Sequence, residues 1–586
     1  MCYLYILQNN LYQRVIIIME LDYFFDNNII YTHLFQFSDI VSNILSFLTV
    51  KNACNFINIC KFMLKNKRYI YSNNILNYSN AIKINKDDFK FVLSLAFNIN
   101  KTPHLYQFIN LHTLSINKHD FNSPLQGLPR NLTHLKIESE LFNQSLHGLP
   151  RKLLSITIHS NSFNKSVYDL PKKLEYLHIK SNDFFRGSIQ DLPITLTHLI
   201  FELGQFYSQI NNLPDNLKVL KIEMPLLKLK NLSNCLETLT LKCNKLYLNC
   251  ILPNSLKCLK IECTENVKCL NNLPISLEDL TIACPIIYSQ LLNLPQSLTH
   301  LCIINENYKY SFNNLSYLTN LIHLTINCKK FNKSLRNLPK KLTSFKLRSN
   351  EFNQPLIDLP KSLISLKLSS YTFNQPLINL PKNLMSLKLD SYAFDQPLID
   401  LPCLLKLKIL CILFNQDLSI LPKSLTLLYI SSVKFNGKLN NLPNLHTLSI
   451  KSGVLTDPLN QLPQTLKKFV MSCNNFNQSI DKLPESLDEL DITSRLFNQS
   501  VTHLPKTLTQ LVILCDEFNK SVNHLPKTLS LLHLKSNKFN KSIATLPEKL
   551  NHLHIDCYKL RIVNELDHLR HIEISIIKDG EYYKNY

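Results

Sequence analysis

A phrase of 21 residues recurs along most of this chain and constrains its fold more than any other feature. The copy that begins at Phe352 reads FNQPLIDLPKSLISLKLSS, and the copy at Phe373 reads FNQPLINLPKNLMSLKLDS. Leu-Pro pairs between residues 128 and 547 mark the copies and fall 20 to 22 residues apart over long stretches. A sequence with such a period is expected to fold as an array of stacked, nearly identical units.

Two periodicities compete within each copy. The gaps between Phe352, Leu356, Leu359 and Leu363 are typical of an amphipathic helix, but Pro360 would then lie in the helix interior, where a proline costs about 3 kcal/mol. The end of the copy, LISLKLSS, alternates as a strand does and has the leucine order of a leucine-rich repeat. We therefore predict a right-handed parallel β-solenoid, in which each copy contributes one short strand and buries its apolar face against its neighbours.

The Leu-Pro landmark is missing in four places where the leucine pattern continues. NLSNCLETLTLKC and YLTNLIHLTINC fill two double-length intervals, while FINLHTLSI from Phe108 and LDHLRHIEI from Leu566 stand at the two ends of the array. We interpret the first two as degenerate copies and the last two as capping units. With these included, the sequence predicts about 23 strand-bearing units.

The repeated phrase resembles the FNIP repeat, a relative of the leucine-rich repeat named for its Phe-Asn-x-Pro start. FNSPL, FNQSL, FNQPL and FNKSI recur in register from Phe121 to Phe539, and the resemblance weakens in 200–330. The asparagines of these pairs, such as Asn353, Asn374 and Asn477, are expected to form a hydrogen-bonded ladder across the back of the solenoid.

Residues 34–80 have a different, helical pattern. The stretch SDIVSNILSFLTVKNACNFINICKFM carries apolar residues at helical spacing, with Ser38 or Asp39 as the expected N-cap. One interpretation is a small helical cap that seals the solenoid. Another is an F-box, because DIVSNILSFL and ICK resemble that motif in order and spacing, although Gln36 and Phe37 stand where the family usually has Leu-Pro.

The F-box resemblance implies a function. F-box proteins are substrate receptors of cullin–RING ubiquitin ligases, and an F-box followed by FNIP repeats is a domain order seen in a family of large DNA viruses of amoebae. The resemblance implies that the helices bind the Skp adaptor of the ligase and that the repeats hold an unknown target protein. The implied adaptor surface consists of Ile40, Ile44, Leu45, Phe47, Leu48 and Ile59.

Three other functions compete with this one. A protein-binding scaffold with no ligase link fits the same repeats, and a nucleic-acid binder fits the net charge of +21. An enzyme is not predicted, because the repeats leave no room for a catalytic domain and neither a phosphate-binding glycine loop nor a hydrolase elbow occurs. No cofactor is predicted either.

Cysteine usage and the N-terminal sequence bear on location. The 17 cysteines are scattered, and many lie beside strand-like runs, as free thiols do in a reducing compartment. No signal peptide or membrane span is expected, and Met19 is an alternative start. The expected location is the cytoplasm, that of the host cell if the chain is viral, with the nucleus as an alternative.

A row of lysines is the candidate target-binding site. Lys346, Lys367, Lys388 and Lys408 fall in the same outward slot of four consecutive strands, and Arg348 adds a charge nearby. Like charges 5 Å apart repel by about 0.8 kcal/mol even in water. The row is interpreted either as a tolerated, solvated stripe or as a contact for an acidic surface on the target.

A second cluster lies near the C-terminus. His533, His554 and Glu573 are predicted to share one outward slot, with His552 and His571 in the slot before it and Asp556 in the slot after it. The chemistry suits Zn²⁺, but a polar, solvated end of the array explains the same residues, and no metal site is predicted.

The predicted organisation has five parts. An N-terminal segment, 1–33, precedes the α-helical F-box-like domain, 34–80. A connector, 81–107, leads to the FNIP repeat solenoid, 108–575, which a short tail, 576–586, follows.

Overall fold

The computed structural model describes most of the repeat region and a few strands outside it. The described residues are 76–77, 94–97, 105–189, 191–206, 210, 213–248, 251–265, 272–285, 293–308, 310–439, 442–456, 459–557, 573–578 and 581–585. The chain forms two compact units, Met1–Leu256 and Lys257–Tyr586.

The first unit is a parallel ladder of strands with a small second sheet. The strands are Leu76–Asn77 (β1), Ser94–Phe97 (β2), Thr113–Asn117 (β3), His134–Glu138 (β4), Ser155–His159 (β5), Tyr176–Phe184 (β6), His198–Gln205 (β7), Val219–Glu223 (β8), Leu226–Leu229 (β9), Thr238–Cys243 (β10) and Lys245–Leu248 (β11). β1 to β8 pair consecutively in parallel, and β10 pairs with β8. β9 and β11 form a separate two-stranded parallel sheet. A 3₁₀ turn at Leu105–Gln107 precedes β3.

The second unit continues the same design. Its strands are Cys258–Cys263 (β12), Asp279–Ala283 (β13), His300–Ile304 (β14), His323–Asn327 (β15), Ser344–Arg348 (β16), Ser365–Ser369 (β17), Ser386–Ser391 (β18), Lys406–Cys411 (β19), Leu427–Ser432 (β20), Thr447–Ser452 (β21), Lys468–Cys473 (β22), Glu489–Ser494 (β23), Gln510–Cys515 (β24), Leu531–Lys535 (β25), His552–Asp556 (β26), Glu573–Lys578 (β27) and Glu581–Asn585 (β28). β12 to β27 pair consecutively in parallel. β28 pairs antiparallel with β27. A 3₁₀ turn at Asn313–Tyr317 lies between β14 and β15.

The parallel β-solenoid and the strand interpretation of the repeat are confirmed. In β17, for example, Leu366 and Leu368 are each 1% exposed while Lys367 between them is exposed. Strands of the repeat region run from β3 to β27 apart from β9 and β11, which agrees with the number of units that the sequence predicts. Each copy of the phrase forms one coil.

Phenylalanine and asparagine ladders hold successive coils together on the side away from the strands. The rings of Phe331, Phe352 and Phe373 stack with centroids 5.9 and 6.0 Å apart. One residue further on, the side-chain oxygen of Asn353 accepts a hydrogen bond from the backbone N–H of Asn374 at 2.9 Å. The asparagine ladder expected from the sequence is thus confirmed.

In several coils, the turn before the Leu-Pro pair is made without glycine. There the residue that precedes Leu-Pro has a positive φ, +58°, +55° and +53° at Asp358, Asn379 and Asp400, compared with +74° at Gly127. Asparagine and aspartate tolerate this left-handed conformation better than other residues with a side chain. After the pair, the proline carbonyl accepts a hydrogen bond from the leucine three residues later, as in Pro360 to Leu363 at 3.0 Å.

A buried serine or cysteine ends the inward row of most coils, a feature that the sequence analysis missed. The hydroxyl of Ser370 donates to the carbonyl of Phe352 at 2.8 Å, and Ser391 donates to Phe373 at 2.9 Å. Cys411 occupies the same position one coil later and is fully buried. A small side chain is needed there because the residue lies between two coils, and its hydroxyl satisfies a buried carbonyl.

The strand ladder begins before the range predicted for the solenoid. β2, in the predicted connector, pairs in parallel with β3, and β1 lies within the range predicted as F-box-like. The segment FVLSLAF around β2 has the apolar alternation but no Leu-Pro landmark, which is why the landmark-based boundary fell later. Within the described residues, no helix has the length and apolar character needed to cross a membrane.

Candidate protein-binding face

The four predicted lysines lie side by side on the outward face of β16 to β19. The register pairs Lys346 with Lys367, Lys367 with Lys388, and Lys388 with Lys408. The apolar residues on either side of each lysine are buried, so the strand alternation fixes the lysines on the opposite face. Thr325 and Tyr429 occupy this slot on the strands before and after, which confines the row to four coils.

These lysines differ from others in the same slot because they lack acidic partners. Elsewhere, Lys136 contacts Glu138 at 2.7 Å and Lys260 contacts Glu262 at 2.7 Å. Within the described part of the chain, no carboxylate lies within ion-pair distance of any lysine of the row. The row therefore presents charge that another molecule could neutralise, although exposed ion pairs are individually weak.

A groove runs along the carboxyl ends of β16 to β22, beside the lysine row. Its volume is about 590 Å³, and it extends from Arg348 and Asn350 at one end to Ser472 and Asn474 at the other. One wall is apolar and exposed. Its side chains are Tyr371, Tyr392, Ile412 and Val433.

A histidine and glutamate cluster on the strand face of the first unit was not found by sequence reasoning. His159 Nε2 lies 3.2 Å from His178 Nδ1, and His159 Nδ1 lies 3.7 Å from a Glu138 oxygen. Burial, and then the neighbouring His159, lower the pKa of His178 to about 4. The His178 Nε2 atom is buried without a hydrogen-bond partner, and the nearest Glu202 oxygen lies 3.9 Å away. Burial therefore outweighs the carboxylate, keeps this imidazole neutral near pH 7 and makes the cluster sensitive to acid.

The C-terminal histidines are arranged differently from the prediction. His533 and His554 are paired, with ring centroids 4.4 Å apart, but Glu573 lies opposite His552, and Ser575 lies opposite His554. The predicted slot shared by His554 and Glu573 is therefore wrong. Isoleucines alternate at 572, 574 and 576, so a shift of two residues preserves the inward face and the sequence could not choose between the registers.

The structure offers no support for the zinc alternative. Among the residues that the structure describes, no group of three or more His, Cys, Asp or Glu side chains is arranged to hold a metal ion. His571 lies outside those residues. The predicted adaptor-binding residues also lie outside them, namely Ile40, Ile44, Leu45, Phe47, Leu48 and Ile59.

Four buried cysteines are structural. Cys328, Cys411, Cys515 and Cys557 are free thiols, as the sequence predicts. Burial raises the pKa of the thiols of Cys328, Cys411, Cys515 and Cys557 to about 12. Because the thiolate is the nucleophile, these side chains are inert at neutral pH.

Comparison with known proteins supports the repeat type. The FNIP Repeat family matches residues 352–391, two consecutive copies of the phrase. The chain is also similar to CroV588, a giant-virus protein whose crystal structure is described as a novel circular LRR protein structure, with 25% identity and a TM-score of 0.58 over 89% of this chain and 81% of that chain. Residues 352–391 thus match the FNIP repeat, and the described coils are leucine-rich-repeat-like.

Two bacterial structures are more distantly similar. YopM from Yersinia enterocolitica is 21% identical, with a TM-score of 0.41 over 78% of this chain and 89% of that chain. An internalin (inlF) from Listeria monocytogenes is 20% identical, with a TM-score of 0.32 over 53% of this chain and 82% of that chain. No curated protein sequence matches the chain.

Proposed function

We propose that this chain is the substrate receptor of a cullin–RING ubiquitin ligase. Residues 34–80 bind a Skp adaptor through apolar contact, and the repeat solenoid binds a target protein that the ligase then modifies. The receptor itself does no chemistry. Support for the adaptor half comes from the F-box-like order of DIVSNILSFL and ICK ahead of FNIP-type repeats.

The target-binding half rests on the row of unpaired lysines. Four cations held in register on neighbouring strands repel one another, so an acidic surface laid across them gains from each contact. The same slot carries acid-paired lysines elsewhere, at Lys136 and Lys260. The lack of partners is therefore a property of this stretch and not of lysine in this fold.

Co-purification with a Skp adaptor tests the adaptor half. The full-length chain should capture purified adaptor, and Leu45→Asp combined with Leu48→Asp should abolish capture while the far-ultraviolet circular dichroism of the repeats is unchanged. If the natural chain captures no adaptor where a known F-box protein does, the ligase role is wrong. The chain would then be a binding scaffold without a ligase link.

Charge reversal tests the target half. Lys367→Glu combined with Lys388→Glu should weaken capture of the target protein, most strongly at low salt where screening is least, and leave adaptor capture intact. Lys136→Glu combined with Lys260→Glu is the matched control, because these lysines occupy the same slot in other coils. Equal capture by the natural chain and the Lys367/Lys388 variant would remove the row from the binding site.

A further inference from the structure

The groove at the carboxyl ends of β16 to β22 carries three charges in a fixed order. Arg348, Asp390 and Lys451 occupy equivalent outward positions near the ends of β16, β18 and β21. With strands about 4.8 Å apart, Asp390 lies about 10 Å from Arg348 and about 14 Å from Lys451 along the solenoid. In the described part of the chain none of the three forms an ion pair.

The apolar wall of the groove occupies only the coils between the two cations. Its four side chains, one from each successive coil, are 65%, 53%, 42% and 59% exposed, in the order Tyr371, Tyr392, Ile412 and Val433. At the ends, Asn350 and Gly453 take the equivalent positions on the coils of Arg348 and Lys451. An apolar strip four coils long is thus bracketed by positive charge and has one negative charge inside it.

We propose that this groove binds an extended acidic peptide segment of the partner protein. Carboxylates face Arg348 and Lys451, a lysine or arginine faces Asp390, and apolar side chains pack on the tyrosine wall. An extended chain rises about 3.3 Å per residue and turns alternate side chains to opposite faces. The two carboxylates are therefore separated by about six or eight residues, and the base lies about two or four residues from the first. The neighbouring lysine row adds to the preference for acid.

The charge order argues against a polyanion as the occupant. Nucleic acid presents one negative charge after another, and Asp390 would oppose the central phosphates. The apolar wall would be left without a partner on the sugar-phosphate backbone. A peptide can alternate charge and supply apolar side chains at the same time, which matches both features of the groove.

Panning a phage-displayed library of random nine-residue peptides against the purified full-length chain tests this inference. Enriched peptides should carry an acid, a base about two or four residues later, a second acid about six or eight residues after the first, and apolar residues between them. Failure to enrich any peptide over the empty support, or enrichment of peptides without acids, would overturn it.

Altered specificity gives a sharper readout than loss of binding. With Asp390→Lys, the central base of the enriched peptides should become an acid, and a peptide selected by the natural chain should bind about tenfold more weakly. Should this variant fail to fold, Asp390→Asn should simply lose the central preference. If either folded variant selects the same peptides as the natural chain, the groove is not the peptide-binding site.

The apolar wall is tested with a matched control. Tyr371→Ala combined with Tyr392→Ala should weaken binding of the selected peptide about tenfold, because aromatic side chains that become buried on binding dominate the energy of peptide interfaces. Tyr168→Ala, which removes a tyrosine of similar exposure at 55% from the first unit, should leave binding unchanged. Equal effects of the two variants would show that the apolar wall is not part of the peptide-binding site.

This inference rests on the target-binding half of the proposed function and can fail independently of the adaptor half. Panning uses no adaptor, so a failed selection leaves adaptor capture by residues 34–80 untouched. Loss of adaptor capture in the Leu45/Leu48 variant likewise leaves peptide selection unchanged.

Discussion

The side-chain oxygen of Asn374 accepts the backbone N–H of Asp395 at 3.0 Å, and one coil later Asp395 accepts the N–H of Asn415 at 2.8 Å. Aspartate and asparagine are thus interchangeable as acceptors on this side of the solenoid. Each acceptor satisfies a backbone group that no strand partner reaches. The ladder therefore does for the irregular side of the coil what the sheet does for the other side.

Two replacements of one ladder residue should separate the contribution of its hydrogen bond to stability from the contribution of its size. Asn374→Ala leaves the Asp395 N–H without its acceptor and should lower the free energy of unfolding locally by about 1 kcal/mol. Asn374→Asp should be close to neutral, because Asp395 already fills the equivalent position. Hydrogen exchange of a peptide spanning 390–400 measures both. Equal exchange in the two variants would mean that the acceptor contributes nothing.

Deleting whole coils should be tolerated far better than deleting parts of them. Removal of 352–372 joins two equivalent positions of the repeat and keeps every later ladder in phase. Removal of 352–361 shifts Phe373 and all later core residues out of register with the coils before them. Soluble yield and thermal unfolding distinguish the two deletion variants, and similar losses in both would contradict the stacked-coil architecture.

The buried thiols should resist alkylation in the folded protein. With a pKa of about 12, Cys411 and Cys515 hold almost no thiolate at pH 8. They should stay unmodified by iodoacetamide while the exposed Cys235 and Cys403 react. In urea all four should react. Mass spectrometry after timed quenching measures the extent of alkylation at each cysteine. Early labelling of Cys411 in the native state would show that its coil opens readily.

The sequence predicted what depends on a constant repeat and missed what depends on local register. The lysine row follows directly from strand alternation and equal spacing, because Lys367 recurs as Lys388 one copy later. The contact between His159 and His178 could not be predicted in this way. The register pairs His159 with Lys180, and the two histidine rings meet diagonally across β5 and β6. Diagonal contacts of this kind need the strand pairing itself.

The same distinction explains why the sequence did not predict the groove beside the lysine row. Tyr371 and Tyr392 follow the ends of their strands, where the alternation that predicts inward and outward positions has already stopped. Arg348 was noted in the sequence, but Asp390 and Lys451 form a pattern with it only when six coils are stacked. The sequence alone does not show that residues so far apart in the chain lie along one groove.

The acid sensitivity of the first unit should depend on His178. Its pKa in the folded protein, about 4, is below its ordinary value of 6.5, so between these values the unfolded chain binds more protons than the folded one. Stability is therefore full above pH 6.5 and falls as the pH drops toward 4, by up to about 3 kcal/mol. Hydrogen exchange across β5 to β7, corrected for the intrinsic rate, should accelerate over this range.

Removing the titrating group isolates its contribution to that loss. His178→Gln should flatten the pH dependence in β5 to β7 between pH 6.5 and 4, because glutamine takes up no proton there. His112→Gln is the matched control, since that exposed histidine lies in the same unit, and it should leave the profile unchanged. A natural chain with equal protection at pH 7 and pH 4.5, or a His178→Gln profile as steep as the natural one, would show that burial of this imidazole does not govern the acid response of the cluster.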